Sequence, residues 1–444
     1  EEGGGAADGA AASAAGRFGS ICACLQFGAQ RFRSKPVPLT AEPELRDGFL
    51  VELPLPDETA LLAAAAESLP AAATHERLRG LARLSVPMHL VLLRVGADGR
   101  ETLLSSVIVE WRKALHAGKC TLSLELPGIG EQASLPVGVL ELKLEVLPLP
   151  PAEARLTEAE ALASIKRERD VEVDAERRFF AYARGWWAAY LDARPDHRLR
   201  PVKIFAMSEL GTQRPVTAYV RPLRADRLLE SPMQAAHFVS LIRHERAHAA
   251  SGAGAALTDV WRTNLATLAT KAGDTEEHAV LLCCLLLGFG LDAFVCVGTD
   301  ARGPHTWVMT RDGPSRLTFW ESLTAQRFEV GAAGAAPHPY VTLASVFSHE
   351  AFYANAQPET SLRAISLDLD EASLWKPMDR GMLRALAPLP IAPLSPPTLT
   401  DHGALERRLE AELRAEVDTE RAALGLASGD AAWDSHLSYL LAPA

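Results

Sequence analysis

Between residues 273 and 324 the chain switches twice between helical and strand-like hydrophobic patterning. Asp274 followed three residues later by Glu277 has the form of an N-cap and capping box. Glu276 and Glu277 add negative charge to the first turn, where the helix dipole favours it. Residues 279–287 are apolar at every position, so the predicted helix is buried on all sides. Gly288 and Gly290 end it. Residues 293–297, 306–310 and 317–320 then have strand composition. The predicted order is helix, strand, strand with His305, strand with Glu321.

Earlier in the chain, residues 89–95, 103–111, 120–126 and 139–150 are read as alternating apolar and polar positions, separated by turns at 96–99 and 127–130. This pattern predicts an antiparallel β-sandwich. Residues 157–191 read as a long helix carrying Phe179, Phe180, Ala183, Trp186, Trp187 and Tyr190 at helical spacing, expected to clamp two domains together. Two short strands joined by a turn at 209–212 are expected in 201–220, and helices over 231–243 and 257–271. Strands are expected at 338–347 and 363–369, and a Gly/Ala/Pro loop at 331–339. After a Pro-rich linker at 386–397, Leu405, Leu409, Leu413 and Val417 recur every four residues, a solvated helix with a narrow apolar seam. The expected organisation is a low-complexity, disordered segment at 1–34, a β-sandwich at 35–150, a connecting helix at 151–200, an α+β domain at 201–385, and a linker with helical extension at 386–444. The apolar ending LSYLLAPA reads as a window of a longer protein.

A length of 444 residues suits two or three domains, and the net charge of −11 argues against nucleic acid and anionic membranes as partners. Six scattered cysteines suit a reducing compartment better than a disulfide framework. Residues 279–298 are not read as a membrane span, because Asp292 and two glycines interrupt them. Residues 1–16 are Gly/Ala-rich with no basic region, so no signal peptide is visible. Between Asp57 and Asp170 the only aspartate is Asp98. Calcium takes six to eight oxygens, usually from several carboxylates, so the sandwich is not expected to bind calcium. Its few lysines argue against phospholipid, which leaves a scaffold or protein interface.

Three sets of residues invite chemistry. His244-Glu245-Arg246-Ala247-His248 matches HExxH, which on a helix would offer His244 and His248 to zinc with Glu245 as base and Glu276 or Glu277 as distant third ligand. The Gly/Ala/Ser run at 249–256 ends such a helix at once, and Ser251 stands where a metzincin glycine would be. No metal is therefore expected. Cys22 and Cys24 form CxC with no second pair, which is poor support for zinc. Cys283 and Cys284 sit more than two turns inside the all-apolar helix, where a thiol is inert.

The order around residues 273–324 resembles the core of the transglutaminase-like (papain-like) fold, in which a nucleophilic Cys opens a buried helix, the His starts one strand and the acid lies on the next. Laid on that pattern, Gly273, Glu277, Ala279, Leu281 and Leu282 match the helix, His305 matches the His, and Glu321 the orienting acid. The Cys position falls on Thr275, which supplies no thiolate. Residues 176–191, 200–209, 219–242, 281–299, 304–310, 319–324, 352–358, 374–378 and 434–441 together resemble the centrosomal protein of 76 kDa family, which pairs a C2 domain with a transglutaminase-like domain. The resemblance implies a multidomain α+β protein: a C2-like sandwich, then a transglutaminase-like domain. It also implies a cytoplasmic, cytoskeletal protein of the centrosome, centriole, basal body or ciliary axoneme. Its partners would be other centriolar or axonemal proteins, with no cofactor. Thr275, His305 and Glu321 would then be a relict triad in a pseudoenzyme, used as a protein-binding module. The alternative is a hydrolase, either papain-like with an unexpected nucleophile or an HExxH zinc enzyme.

Overall fold

The computed structural model describes residues 19–53, 71–147, 149–225, 228–245, 260–313, 316–330, 337–386, 394 and 402–425. The chain divides into a unit Glu1–Pro396 and a unit Pro397–Ala444.

The first unit opens with strands β1 (Ser20–Phe27), β2 (Gln30–Arg33) and β3 (Val37–Pro38). Helix α1 (Ala71–Ala82) follows, then β4 (Met88–Val95), β5 (Glu101–Val109), β6 (Lys119–Pro127) and β7 (Pro136–Glu145). One sheet runs β2-β1-β4-β5 with β3 beside β1, and β6 and β7 form a second layer. All of these pairings are antiparallel. Phe27, Leu90, Leu92, Trp111 and Leu115 fill the space between, with the half-buried leucines 122, 124, 140, 142 and 144 of the hairpin. The expected sandwich is present, with two corrections. Ser20–Phe27 and Gln30–Arg33, assigned to a disordered leading segment, are strands. Nor does β4 alternate: Met88–Leu93 are buried at every position, as are Ile21–Phe27 of β1. A strand covered on both faces reads as a continuous apolar run, which hides its period. The cover on the far face comes from the second domain, described below.

Helix α2 (Glu158–Ala193) carries the Thr157–Glu160 capping box. Its first half lies on the sandwich side: Ser164 donates to Ala82 O at 2.8 Å, and Glu168 pairs with Arg112. Its second half buries Phe179, Ala183, Trp186 and Tyr190 in the core of the next domain. The helix thus joins the domains as expected, although the aromatic stripe itself packs only on the second, and Phe180 is half exposed.

In the second domain β8 (Phe205–Ser208) and β9 (Gln213–Pro215) precede α3 (Pro232–Ser240), which is N-capped by Ser231. Then come β10 (Arg243–His244), β11 (Val260–Trp261), α4 (Asn264–Thr270), β12 (Ala272–Gly273) and α5 (Thr275–Gly288). The helix expected over 257–271 is shorter, because Thr263 N-caps it and Val260–Trp261 pairs with β8 instead. A seven-stranded antiparallel sheet follows: β13 (Asp292–Asp300), β14 (Gly303–Asp312), β15 (Arg316–Trp320), β16 (Arg327–Val330), β17 (Tyr340–Phe347), β18 (Phe352–Asn355) and β19 (Trp375–Pro377). Its order is β16-β15-β14-β13-β17-β18-β19. No strand forms at 363–369. Ser361 O accepts from both Ala364 N and Ile365 N, which curls that stretch into a turn. Helix α6 (Arg380–Arg384) follows the last strand.

Helix α5 lies against β13 and β14, and every residue from Glu277 to Leu286 is buried. Gly288 is required at its end: a Cβ there would stand 1.9 Å from Leu223 O. In the second unit, α7 (His402–Ala423) leaves Leu413 and Val417 exposed. Residues 1–18 and most of the Pro-rich linker lie outside the described residues.

Candidate functional site

The capping box drawn from sequence forms at the start of α5. Asp274 Oδ1 accepts from Glu277 N at 2.9 Å, and Asp274 N donates to Glu277 Oε2 at 3.1 Å. Arg262 holds the Glu277 carboxylate from the other side, Nε to Oε1 at 2.8 Å and Nη2 to Oε2 at 2.6 Å. Burial first, then the charges of Glu277 and Glu276, push the Asp274 carboxyl above the usual carboxylate range. Thr275 is thereby fixed at the first helical position, half-buried.

His305 lies near the start of β14, and Glu321 directly follows β15. Their pairing is direct, His305 Nε2 to Glu321 Oε2 at 2.8 Å. Tyr340 OH donates to the same oxygen at 3.1 Å, and Leu323 N donates to the other at 3.1 Å. The Tyr340 ring stacks on Trp307 with centroids 4.1 Å apart, which anchors that donor. Burial opposes a charged His305, but the hydrogen bond and charge of Glu321 outweigh it and raise the imidazole above its ordinary value. With Nε2 committed to Glu321, Nδ1 is the nitrogen that would take a proton from a nucleophile.

Thr275 is not that nucleophile's equal in position. Among the described residues its hydroxyl pairs with His244 Nε2 at 3.3 Å, and no hydrogen bond joins it to His305. The charge of Glu276 in the first turn of α5 also favours the protonated form of His305, less than Glu321 does. The structure therefore pairs His305 with Glu321, and pairs Thr275 with a different histidine.

His244 reaches Thr275 because β10 pairs in parallel with β12, aligning His244 with Gly273. It is extended there, not helical, so the helix face that HExxH zinc binding needs does not begin at His244; His248 lies outside the described residues. Cys283 and Cys284 are fully buried; burial pushes both thiols up, Cys284 to about 12. In the sandwich, Asp98 accepts from Arg100 N within a tight turn. No described helix is long and apolar enough to cross a membrane.

Tyr340, Arg262 and the His244–Thr275 contact were not foreseen from sequence. Tyr340 stands 19 positions from Glu321, and no short motif links them.

Two family models match: the CEP76 C2 domain over residues 15–152 and the CEP76 peptidase-like domain over residues 259–378. Human centrosomal protein of 76 kDa is 40% identical over 452 residues, covering 96% of this chain and 65% of that protein. The Xenopus laevis protein of the same name is 41% identical, covering 95% of this chain and 64% of its own length. The chain thus spans about two thirds of the length of these relatives. A solved structure, calcium-bound LapG of Legionella pneumophila, aligns at 16% identity over 30% of this chain and 71% of its own, with a TM-score of 0.23, too low to bear on the fold. With two domain models matched in order and a similarity that runs almost end to end, the chain belongs to the centrosomal protein of 76 kDa family.

Proposed function

We propose that this chain is a structural and interaction protein of the centriole, basal body or ciliary axoneme, in which the peptidase-like domain binds protein segments and does not cleave them. The observation that carries this reading is Thr275 at the N-terminus of α5, hydrogen-bonded to His244 and not to the His305–Glu321 pair. A thiolate is the competent nucleophile at such a helix end. A threonine hydroxyl stays protonated near neutral pH, and known threonine nucleophiles are activated by the chain's own amino terminus. The cysteines of α5 offer no substitute, being buried among aliphatic side chains. The names of the relatives support the location. The C2-like domain acts here as a calcium-independent scaffold: Asp98 is its lone central aspartate and serves a turn.

Two measurements test the reading. Purified chain incubated with peptide, amide and glutamine substrates is expected to show no turnover; turnover abolished by Thr275→Ala would overturn it. A fluorescently tagged chain is expected to concentrate at centrioles or axonemes, and uniform cytoplasmic signal would defeat the location.

A further inference from the structure

Helix α4 is seven residues long, and both of its ends are tied to the same strand of the C2-like domain. At its start, the fully buried Glu209 accepts from Thr263 N at 2.7 Å and Thr263 Oγ1 at 3.0 Å. The same carboxylate accepts from Ser106 Oγ on β5 at 2.8 Å. His89 Nε2 on β4 stands 2.6 Å from that hydroxyl and 3.4 Å from Glu209 Oε1. At the other end, Lys271 Nζ reaches Glu101 Oε1 on β5 at 3.2 Å, and Arg33 holds Glu101 with two nitrogens at 2.8 and 3.0 Å. Between the two ties, Leu265 and Ala269 of α4 share one apolar cluster with Cys22, Cys24, Val91 and Leu93 of β1 and β4. This is the cover that makes those strands apolar on both faces. The backbones also meet: Gly211 has φ +74°, and a Cβ there would stand 2.7 Å from Gly130 O.

Little slack separates this contact from Thr275. Lys271 turns the chain with a left-handed φ of 53°, Ala272–Gly273 form β12, and Asp274 and Thr275 follow at once. β12 is also the strand on which His244 is aligned. Arg262, one residue before the cap of α4, closes the loop by gripping Glu277 in the first turn of α5 and donating to Ala272 O at 3.2 Å. Segment 262–277 is therefore one braced piece, with the C2-like domain on one side and Thr275 on the other.

We propose that the C2-like domain is the positioning element of the helix start at Thr275: its docking on α4 sets where Thr275 and His244 stand. The inference does not depend on whether the peptidase-like domain binds or cuts. A ligand that pulled the β1–β4 face off α4 would expose a buried carboxylate network and release the helix start that Thr275 occupies. Buried polar networks lose most when only partly satisfied, so the contact is made whole or broken as a unit.

The test is hydrogen exchange on the full chain, wild type against Leu93→Asp, which places a carboxylate against Leu265 and Ala269. Amides 272–278 are expected to exchange at least about tenfold faster, while β13 and β14 stay protected. The NMR titration of His305 is expected to move down slightly as the charge of Glu276, which favours its protonated form, shifts, while the pairing with Glu321 keeps it raised. A purely structural role would not move that titration. If Leu93→Asp does not fold, the paired Ser106→Ala and Lys271→Ala variant decides, with a smaller change in the same amides expected. Unchanged exchange at 272–278 in a folded variant with weakened docking overturns the proposal. So does exchange that rises evenly through both domains.

Discussion

Arg262 grips the Glu277 carboxylate with two nitrogens, at 2.8 and 2.6 Å, where Glu277 is almost completely buried. The guanidinium also donates to Thr270 Oγ1 and Ala272 O. Removing one partner of a buried pair leaves the other charge uncompensated, which costs far more than the pair itself contributes. Arg262→Ala is therefore expected to destabilise the chain by about 3–5 kcal/mol in chemical denaturation. Arg262→Lys keeps the charge but loses the fork, and is expected to recover only part of that. Equal stability of Arg262→Ala and wild type would mean the brace is not needed.

The long helix supplies a second contrast. Trp186 is buried, donates from Nε1 to Pro377 O at 2.8 Å, and stacks on Tyr190 with centroids 5.7 Å apart. Trp186→Ala is expected to cost about 3–5 kcal/mol through the cavity and the orphaned carbonyl. Tyr190 OH donates to Asn355 O at 2.8 Å, but Arg200 Nη1 donates to the same oxygen at 2.7 Å. Tyr190→Phe thus leaves no acceptor unpaired, and about 0.5–1.5 kcal/mol is expected. Thermal or denaturant midpoints of the two variants check the ordering; the reverse order would contradict it.

These cases show which parts of the fold were legible. The capping box at Asp274 and Glu277 was readable because its partners are three residues apart. The His305–Glu321 pair followed from a resemblance in strand order, not from spacing. Strand β4 was misread as alternating because a second domain covers its outer face. That cover is 170 or more residues away in sequence, and local periodicity carries no trace of it. Residues 363–369 were read as strand because composition alone does not tell an edge strand from an ordered loop. The partner of Thr275 was missed for a related reason: His244 sits in an HExxH string, and string and site point to different chemistry.

Asp274 offers a pH-dependent prediction. Its carboxyl is raised above the ordinary range by burial and by two neighbouring glutamates. For an acid with a raised native value, the sign is unfavourable: the native state loses stability as pH climbs above the unfolded value of about 3.9. Asparagine caps helices as well as aspartate does and keeps the acceptor for Glu277 N. Asp274→Asn is therefore expected to be more stable than wild type at pH 7, by on the order of 1 kcal/mol, with the gain fading as pH falls toward 4. Urea midpoints across that range measure it, and a loss at pH 7 would refute the sign.

The last prediction concerns His305. Two groups share one oxygen of Glu321: the imidazole at 2.8 Å and the Tyr340 hydroxyl at 3.1 Å. Glu321 is thus a hub that both orients the ring and favours its charged form. Because the native value of His305 is raised, its contribution to stability is fully present below the unfolded value of about 6.5. It is lost as pH rises through the higher native value. Glu321→Gln removes the charge while keeping a polar side chain of similar size. Its carboxamide still accepts from the imidazole or from Tyr340, so the ring need not leave its place. The expected result is a downward move of the His305 titration by NMR, toward or below the ordinary value, because burial then acts without opposition. The stability difference between wild type and Glu321→Gln should be larger at pH 6 than at pH 9, by about 1–3 kcal/mol at the acid end. Tyr340→Phe removes only the neutral donor from the shared oxygen. It should leave the titration of His305 raised, since the charge that raises it is still in place. If Glu321→Gln leaves the titration where it was, Glu321 is not what holds the proton on His305. The pairing across β14 and β15 would then be a packing contact and nothing more.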